Sequence, residues 1–234
     1  MSVELFEKAL VSSAAFTSPR AWAFILLGIH EYLQRFRGDR LARNYLHILA
    51  TKLYDLYKAN TNAEWLWFES SLTYCDAKLP HALLVSGHDL ENKEMLNAGI
   101  NALKWLVEVQ TSTRGHFQPV GSDGAYYRDG IKPLFDQQPV EAYSTVSACL
   151  EAYRITKDKA WYDEASKVFQ WFLGGNDLGI SLYDPVTGGC CDGLHVDRIN
   201  RNQGAESTLS FLLSLTEMTQ MENVLESLKE PLGE

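Results

Sequence analysis

The sequence predicts an all-α protein of repeated helical hairpins, arranged as an α/α toroid. Three observations carry this expectation. Segments with almost no charge alternate with amphipathic ones along the 234 residues. The starts of the charge-poor segments, Pro19, Pro80, Pro139 and Gly204, lie 61, 59 and 65 residues apart, which is the mark of a repeat architecture. The long loops all fall between an amphipathic segment and the next charge-poor one. A helix without a polar face needs cover on all sides, and an amphipathic helix lies outside it, so the alternation describes an inner and an outer layer.

Residues 3–15 show a weak helical pattern, with Leu5, Ala9, Leu10 and Ala14 apolar. Thr17-Ser18-Pro19 then reads as a helix start, a hydroxyl followed by proline at the first helical position. The helix over 19–36 has no charge between Ala21 and Ile29, and Gly38-Asp39 separates it from the next. Residues 39–57 place Leu41, Tyr45, Leu49, Leu53 and Leu56 in one stripe, with Arg40, Arg43, Lys52 and Asp55 between them. An aromatic loop follows over 59–74. The cycle then repeats: charge-poor 79–87, amphipathic 89–110, loop 111–134; charge-poor 138–153, amphipathic 161–172, loop 174–202. The last helix opens at Gln203-Gly204-Ala205-Glu206 and is uncharged from Ser207 to Thr216, and the charged tail over 221–234 is expected to fray. About eight helices result. A closed ring of six hairpins needs more, so the expectation is an incomplete (α/α)6 barrel: an open arc, a piece of a longer protein, or a ring whose edge another subunit covers, which makes a homo-oligomer a candidate assembly.

Composition excludes several classes. The formal net charge is −9 and no Lys/Arg cluster offsets it, so no nucleic-acid partner is expected. Cys75, Cys149, Cys190 and Cys191 are not spaced as a disulfide framework, and residues 2–10 do not read as a secretory leader. A reduced, cytoplasmic protein is the expectation. The longest apolar run, 21–29, is too short to span a bilayer, so no membrane partner is expected. Gly121-Ser122-Asp123-Gly124 and Gly188-Gly189 read as turns. No phosphate-cradling glycine loop of the Walker or dinucleotide type is present, so no nucleotide-sugar donor site is visible.

In an inner–outer repeat every outer-to-inner loop emerges at one end, and loops this long are usually functional. That topology is expected to crowd Trp65, Trp67, Tyr74, Asp76, His116, Gln137, Gln138, Asp192, His195 and Asn202 as substrate contacts. Aromatic rings stack on the C–H faces of sugars while carboxylates and amides take the hydroxyls. The catalytic candidates are Asp136, Glu141 and Glu206. Each glutamate lies two residues after the Pro139 or Gly204 that opens an otherwise uncharged helix. Packed inner helices are ~8–10 Å apart, within reach of the ~6.5–9.5 Å carboxylate separation of inverting glycosidases. The same two residues also suit capping of their own helix starts. Asp136 and Asp76 each precede an inner helix and suit an N-cap as well as a ligand contact. Asp136, with no counterpart at the same offset from Gly204, is the better single candidate.

Cys190-Cys191-Asp192-Gly193-Leu194-His195 invites a zinc reading. Adjacent cysteines seldom ligate one ion and the usual separated pair is missing, so no metal and no cofactor are assigned. His81 and His116 suit satisfied structural roles, and Trp105, Trp161 and Trp171, at helical spacing, suit the core.

Three segments carry a family resemblance: Glu64-Trp65-Leu66-Trp67-Phe68-Glu69 with Leu72-Thr73-Tyr74; Phe135-Asp136-Gln137-Gln138-Pro139-Val140-Glu141-Ala142; and Tyr183-Asp184-Pro185 through Cys190-Cys191-Asp192-Gly193-Leu194-His195 to Asn202-Gln203-Gly204-Ala205-Glu206-Ser207. These look like a bacterial α/α-toroid domain that occurs alone or fused behind a retaining glycosyltransferase. It is often named glycosyltransferase for that reason and belongs to the six-hairpin glycosidase-like superfamily, which also holds N-acylglucosamine 2-epimerases. The resemblance covers residues 40–220 and implies carbohydrate chemistry: a glycan or oligosaccharide as ligand and a glycosyltransferase domain or subunit as partner. It carries over no catalytic residue. A glycoside-hydrolase-like enzyme with paired carboxylates is the leading expectation. A non-catalytic glycan-binding scaffold, a sugar epimerase and a zinc-dependent toroid enzyme are the alternatives.

Overall fold

The expected alternation appears as eight α-helices in the computed structural model, which describes residues 2–227: α1 Ser2–Ser12, α2 Pro19–Arg35, α3 Arg40–Asn60, α4 Lys78–Asp89, α5 Lys93–Val109, α6 Pro139–Thr156, α7 Lys159–Gln170 and α8 Ala205–Ser227. Local chemistry sets their ends. Asp39 accepts the Ala42 amide at 3.0 Å to start α3, and Asp158 accepts the Ala160 amide at 3.0 Å to start α7. Asn92 accepts the Met95 amide at 3.0 Å at the start of α5. Proline opens α2 and α6. Two short antiparallel ladders, absent from the sequence reading, tie the loops: β1 Ser71–Leu72 with β2 Tyr126–Tyr127, and β3 Gly193–Leu194 with β4 Ile199–Asn200.

The chain divides into two compact units. Unit 1 comprises residues 2–70 and 76–106. In it α2 packs on α3 and α4, and α3 packs on α4. Helix α4 is buried from Lys78 to Gly87. It meets α5 backbone to backbone because glycine occupies both crossing points. A Cβ on Gly99 would lie 2.5 Å from the Leu84 nitrogen, and one on Gly87 would lie 2.3 Å from the Leu96 nitrogen.

Unit 2 comprises residues 71–75 and 107–227. Here α6 packs against α7 and α8. The buried stripe of α8 is Ser207, Ser210, Phe211, Ser214, Met218 and Met221, a 3–4 spacing whose small serines keep that face slim. Phe211 stacks on Tyr183 at 4.5 Å and on Phe169 at 6.1 Å.

Two expectations are corrected. A lack of charge implied cover on all sides, which holds for α4 and for most of α6 but not for α2 or α8. Phe24 is 50% exposed and Leu209 is 55% exposed. Charge patterning records what a helix lacks, whereas burial depends on which neighbours reach it. The charged stretch after 221 does not fray at once: α8 continues to Ser227 because Met221 anchors its last turns in the core. The rest of the expected tail, 228–234, lies outside the described residues. Among the described residues no helix is long and apolar enough to cross a membrane.

Candidate functional site

The segment 133–138 leads into α6 and is held from both sides. On one side Gly121 donates its amide to the Pro133 carbonyl at 2.8 Å, Ser122 to the Asp136 carbonyl at 2.9 Å, and Asp123 to the Phe135 carbonyl at 3.3 Å. Only glycine fits at 121, since a Cβ there would lie 2.1 Å from the Phe135 carbonyl oxygen. On the other side Gln137 and Leu194 exchange backbone bonds of 3.0 and 2.9 Å. That bridge brings Gly193 against the segment, where a Cβ would lie 2.8 Å from the Gln137 carbonyl oxygen and 2.9 Å from Asp136 Oδ1. The next residue, His195, places Nδ1 3.4 Å from Asp136 Oδ1. The Phe135–Asp136 peptide is cis.

These residues enclose a cleft of ≈ 700 Å³ lined by Ser122, Asp123, Leu134, Asp136, His195 and Arg198 among others. Burial pushes the Asp136 carboxyl up, the His195 ring pulls it down, and the Asp123 charge pushes it up again; the net effect is upward. A second cavity of ≈ 530 Å³ adjoins it past His195, lined by Ile180, Asp197, Arg198, Asn200 and Arg201 among others. The site therefore has a carboxyl that protonates more readily than usual, a second carboxylate beside it and an imidazole in contact.

The other expected site residues separate into structural groups. Gln137 is fully buried. Its Oε1 accepts the Trp171 indole N–H at 2.8 Å and its Nε2 donates to the Leu134 carbonyl at 2.9 Å and to Asp177 Oδ2. Gln138 reaches Ser122 Oγ at 3.2 Å, on the cleft wall. His116 is held at both ring nitrogens, 2.9 Å from Ser112 Oγ and 3.0 Å from Asp177 Oδ1. Asp177, which the sequence reading passed over, gathers His116, Gln118 and Gln137. Burial pushes its carboxyl up, but those hydrogen bonds outweigh burial and hold it below the usual range. No sequence signal marked it. These partners, and Arg114 at 3.4 Å, come from another loop.

Asp192 accepts the Gly204 amide at 2.7 Å and bonds the Asn202 side chain, so this pair closes the start of α8 rather than lining the Asp136 cleft. Burial pushes the Asp192 carboxyl up while Asn202, Ser207 and Gly204 pull it down further. Cys190 is buried, which pushes its thiol up to about 12, and His195 turns to Asp136. Among the described residues no group of three or more His, Cys, Asp or Glu side chains could hold a metal ion.

Glu141 and Glu206 both reach the segment that follows β1. Glu141 is buried and accepts the Cys75 amide at 2.6 Å; Glu206 is exposed and accepts the Tyr74 hydroxyl at 3.0 Å. The repeat-equivalent glutamates grip consecutive residues of one strand exit, and neither lines the Asp136 cleft. Nor is Asp136 a helix cap: the N-cap position of α6 is Gln138, without a side-chain bond. In unit 1, Asp76 is buried in an ion pair of 2.8 Å with Arg20, and the N-cap position of α4 is Ala77. Trp65 and Trp67, expected as sugar platforms, are 4% and 0% exposed. They pack on Trp105 at 4.9 and 5.8 Å, and the Trp65 indole donates to the Glu69 carbonyl at 2.7 Å.

Compared with known protein families and with curated proteins, the chain matches none.

Proposed function

We propose that unit 2 acts on a glycan in the Asp136 cleft, by general acid–base hydrolysis of a glycosidic bond. The observation that carries this reading is the pairing of Asp136, its carboxyl shifted upward, with Asp123 on the adjoining strand of the same cleft. A carboxyl that holds its proton more tightly than usual, beside a second carboxylate, is what the reaction needs. In this scheme Asp136 gives its proton to the glycosidic oxygen as the carbon–oxygen bond breaks. A water molecule adds to the anomeric carbon and passes its proton to Asp123. His195 holds and tunes Asp136, while Ser122, Gln138 and Arg198 offer hydrogen bonds to hydroxyls. The pair Asp136–Asp123 takes over the role first expected of Glu141 and Glu206. The resemblance to six-hairpin glycosidase-like domains supports the substrate class, and the Asp136 cleft supports the placement.

A panel of glycans assayed for both binding and turnover tests the proposal. Asp136→Asn should lower turnover by ~10²-fold or more while binding persists, Asp123→Asn should also lower it, and Glu206→Gln should leave it unchanged. Binding without turnover by the parent chain would instead assign it as a glycan-binding module serving a glycosyltransferase. Neither binding nor turnover across the panel would overturn the glycan reading.

A further inference from the structure

Unit 1 carries a concentration of positive charge, which corrects the reading of the sequence as free of any Lys/Arg cluster. Arg35, Arg37, Arg40 and Arg43 fall within nine residues of a chain whose formal net charge is −9. The end of α2 and the start of α3 bring them together around one turn. All four are exposed. Elsewhere Arg20, Arg114, Arg154 and Arg198 each have a carboxylate at salt-bridge distance. Among the described residues Arg35, Arg37, Arg40 and Arg43 have no carboxylate at that distance.

The turn borders a cavity of ≈ 560 Å³, within the usual size range of small-molecule sites. Its cationic wall is Arg37, Arg43 and Lys93, and its apolar floor includes Leu33, Leu46 and Leu96. Arg43 is pre-set: its Nε donates to the Arg37 carbonyl at 2.9 Å, which fixes the guanidinium beside Arg37. Asn92 and Lys93 bring the first turn of the 17-residue α5, and with it the positive end of that helix, to the same wall. Two carboxylates also line the cavity. Asp89 is engaged by His30 at 2.7 Å and by His88 at 3.5 Å, and Glu91 lies at the turn into α5.

Clustered guanidinium groups repel one another unless an anion lies between them. Planar N–H forks match phosphate oxygens, and an ammonium adds a point charge. We propose that this cavity is a second binding site, for a phosphate-bearing ligand with an apolar portion: Arg37, Arg43 and Lys93 hold the phosphate and the leucine floor takes the carbon part. It is separate from the Asp136 cleft and stands or falls independently of glycan chemistry.

Two probes separate a free phosphate compound from a lipid headgroup. One is inorganic pyrophosphate, titrated calorimetrically into the whole chain at low salt. The other is phosphatidylcholine vesicles with and without phosphatidic acid, in sedimentation. The variants are Arg37→Gln/Arg43→Gln and, separately, Lys93→Gln, with Arg154→Gln as control; all lie on the surface, and circular dichroism checks their fold. The expected result is saturable, salt-sensitive binding at one site per chain, weakened ~10-fold or more in the double variant and less in the lysine variant, and unchanged in the control. Pyrophosphate binding with that pattern assigns a free phosphate ligand; phosphatidic-acid-dependent sedimentation with that pattern assigns a lipid headgroup. Absence of both in the parent chain, or binding equally strong in the double variant, overturns the proposal.

Discussion

His195 Nδ1 lies 3.4 Å from Asp136 Oδ1, joining the loop before α6 to the β3–β4 hairpin. The contact follows from the backbone bridge between Gln137 and Leu194, each one residue along from the pair. Asp136 therefore has its proton affinity set by partners from two loops, Asp123 and His195, acting in opposite directions against a background of burial.

That opposition gives signed predictions for pH. His195→Ala removes the influence that lowers the Asp136 pKa, so the pKa should rise further. Asp123→Asn removes one that raises it, so the pKa should fall. Carbon-detected NMR titration of the Asp136 carboxyl reads both shifts without a substrate. Since folding raises this pKa, the stability Asp136 contributes is present below the unfolded value and is lost as pH climbs through the folded value. Shifts of the same sign in both variants would sink the two-partner account.

Glu141 and Glu206 are equivalent in sequence and unequal in structure. Truncating buried Glu141 to alanine removes the charged acceptor of the Cys75 amide and should cost about 1.5–3 kcal/mol. Glu206→Ala loses one exposed bond to Tyr74 and should cost under about 1 kcal/mol. Urea unfolding of the two variants measures the difference, and equal losses would contradict it.

Asp177 should make the protein acid-sensitive. Its folded pKa is held below the usual carboxylate value, so its contribution is present above the unfolded pKa and is lost as pH falls through the folded one. Asp177→Asn should flatten the loss of stability as pH falls below the ordinary aspartate pKa of about 3.9, relative to the parent, as followed by thermal melts in acid.

Lys132 works at the other end of the scale. It donates to the Val109 and Gln118 carbonyls, and burial is the main cause that pushes its pKa down to about 8. The unfolded chain then binds more protons between about pH 8 and pH 10.4, so stability should rise with pH in that window. Lys132→Met should abolish that rise. A parent chain that shows no rise between those values would exclude a depressed pKa.

Gly193 has no room for a methyl group beside Asp136 Oδ1 and the Gln137 carbonyl. Gly193→Ala should displace the hairpin and cost about 1–3 kcal/mol. It should also move the Asp136 carboxyl resonance. Gly188→Ala, with φ of 73° but open space, should strain only its own turn and leave that resonance in place.

The helices and their order were legible in the amino-acid sequence alone, because charge patterning, proline and the residues around Asp39 and Gly204 act within a few positions of where they stand. That Asp136 stands outside the repeat was legible too. The roles of Trp65, Trp67, Glu141 and Asp192 were not, since each depends on a partner from a distant segment: Trp105, Cys75 and Gly204 decide whether a ring or carboxylate is free or engaged. Nor was the partnership of Asp123 with Asp136, which rests on a glycine at 121 whose missing Cβ lets two strands of loop lie together. Local chemistry determined where the helices begin and end. Only tertiary packing decided which polar groups are consumed in holding the loops and which still face a cleft, because burial and hydrogen-bond satisfaction depend on segments far apart in the chain.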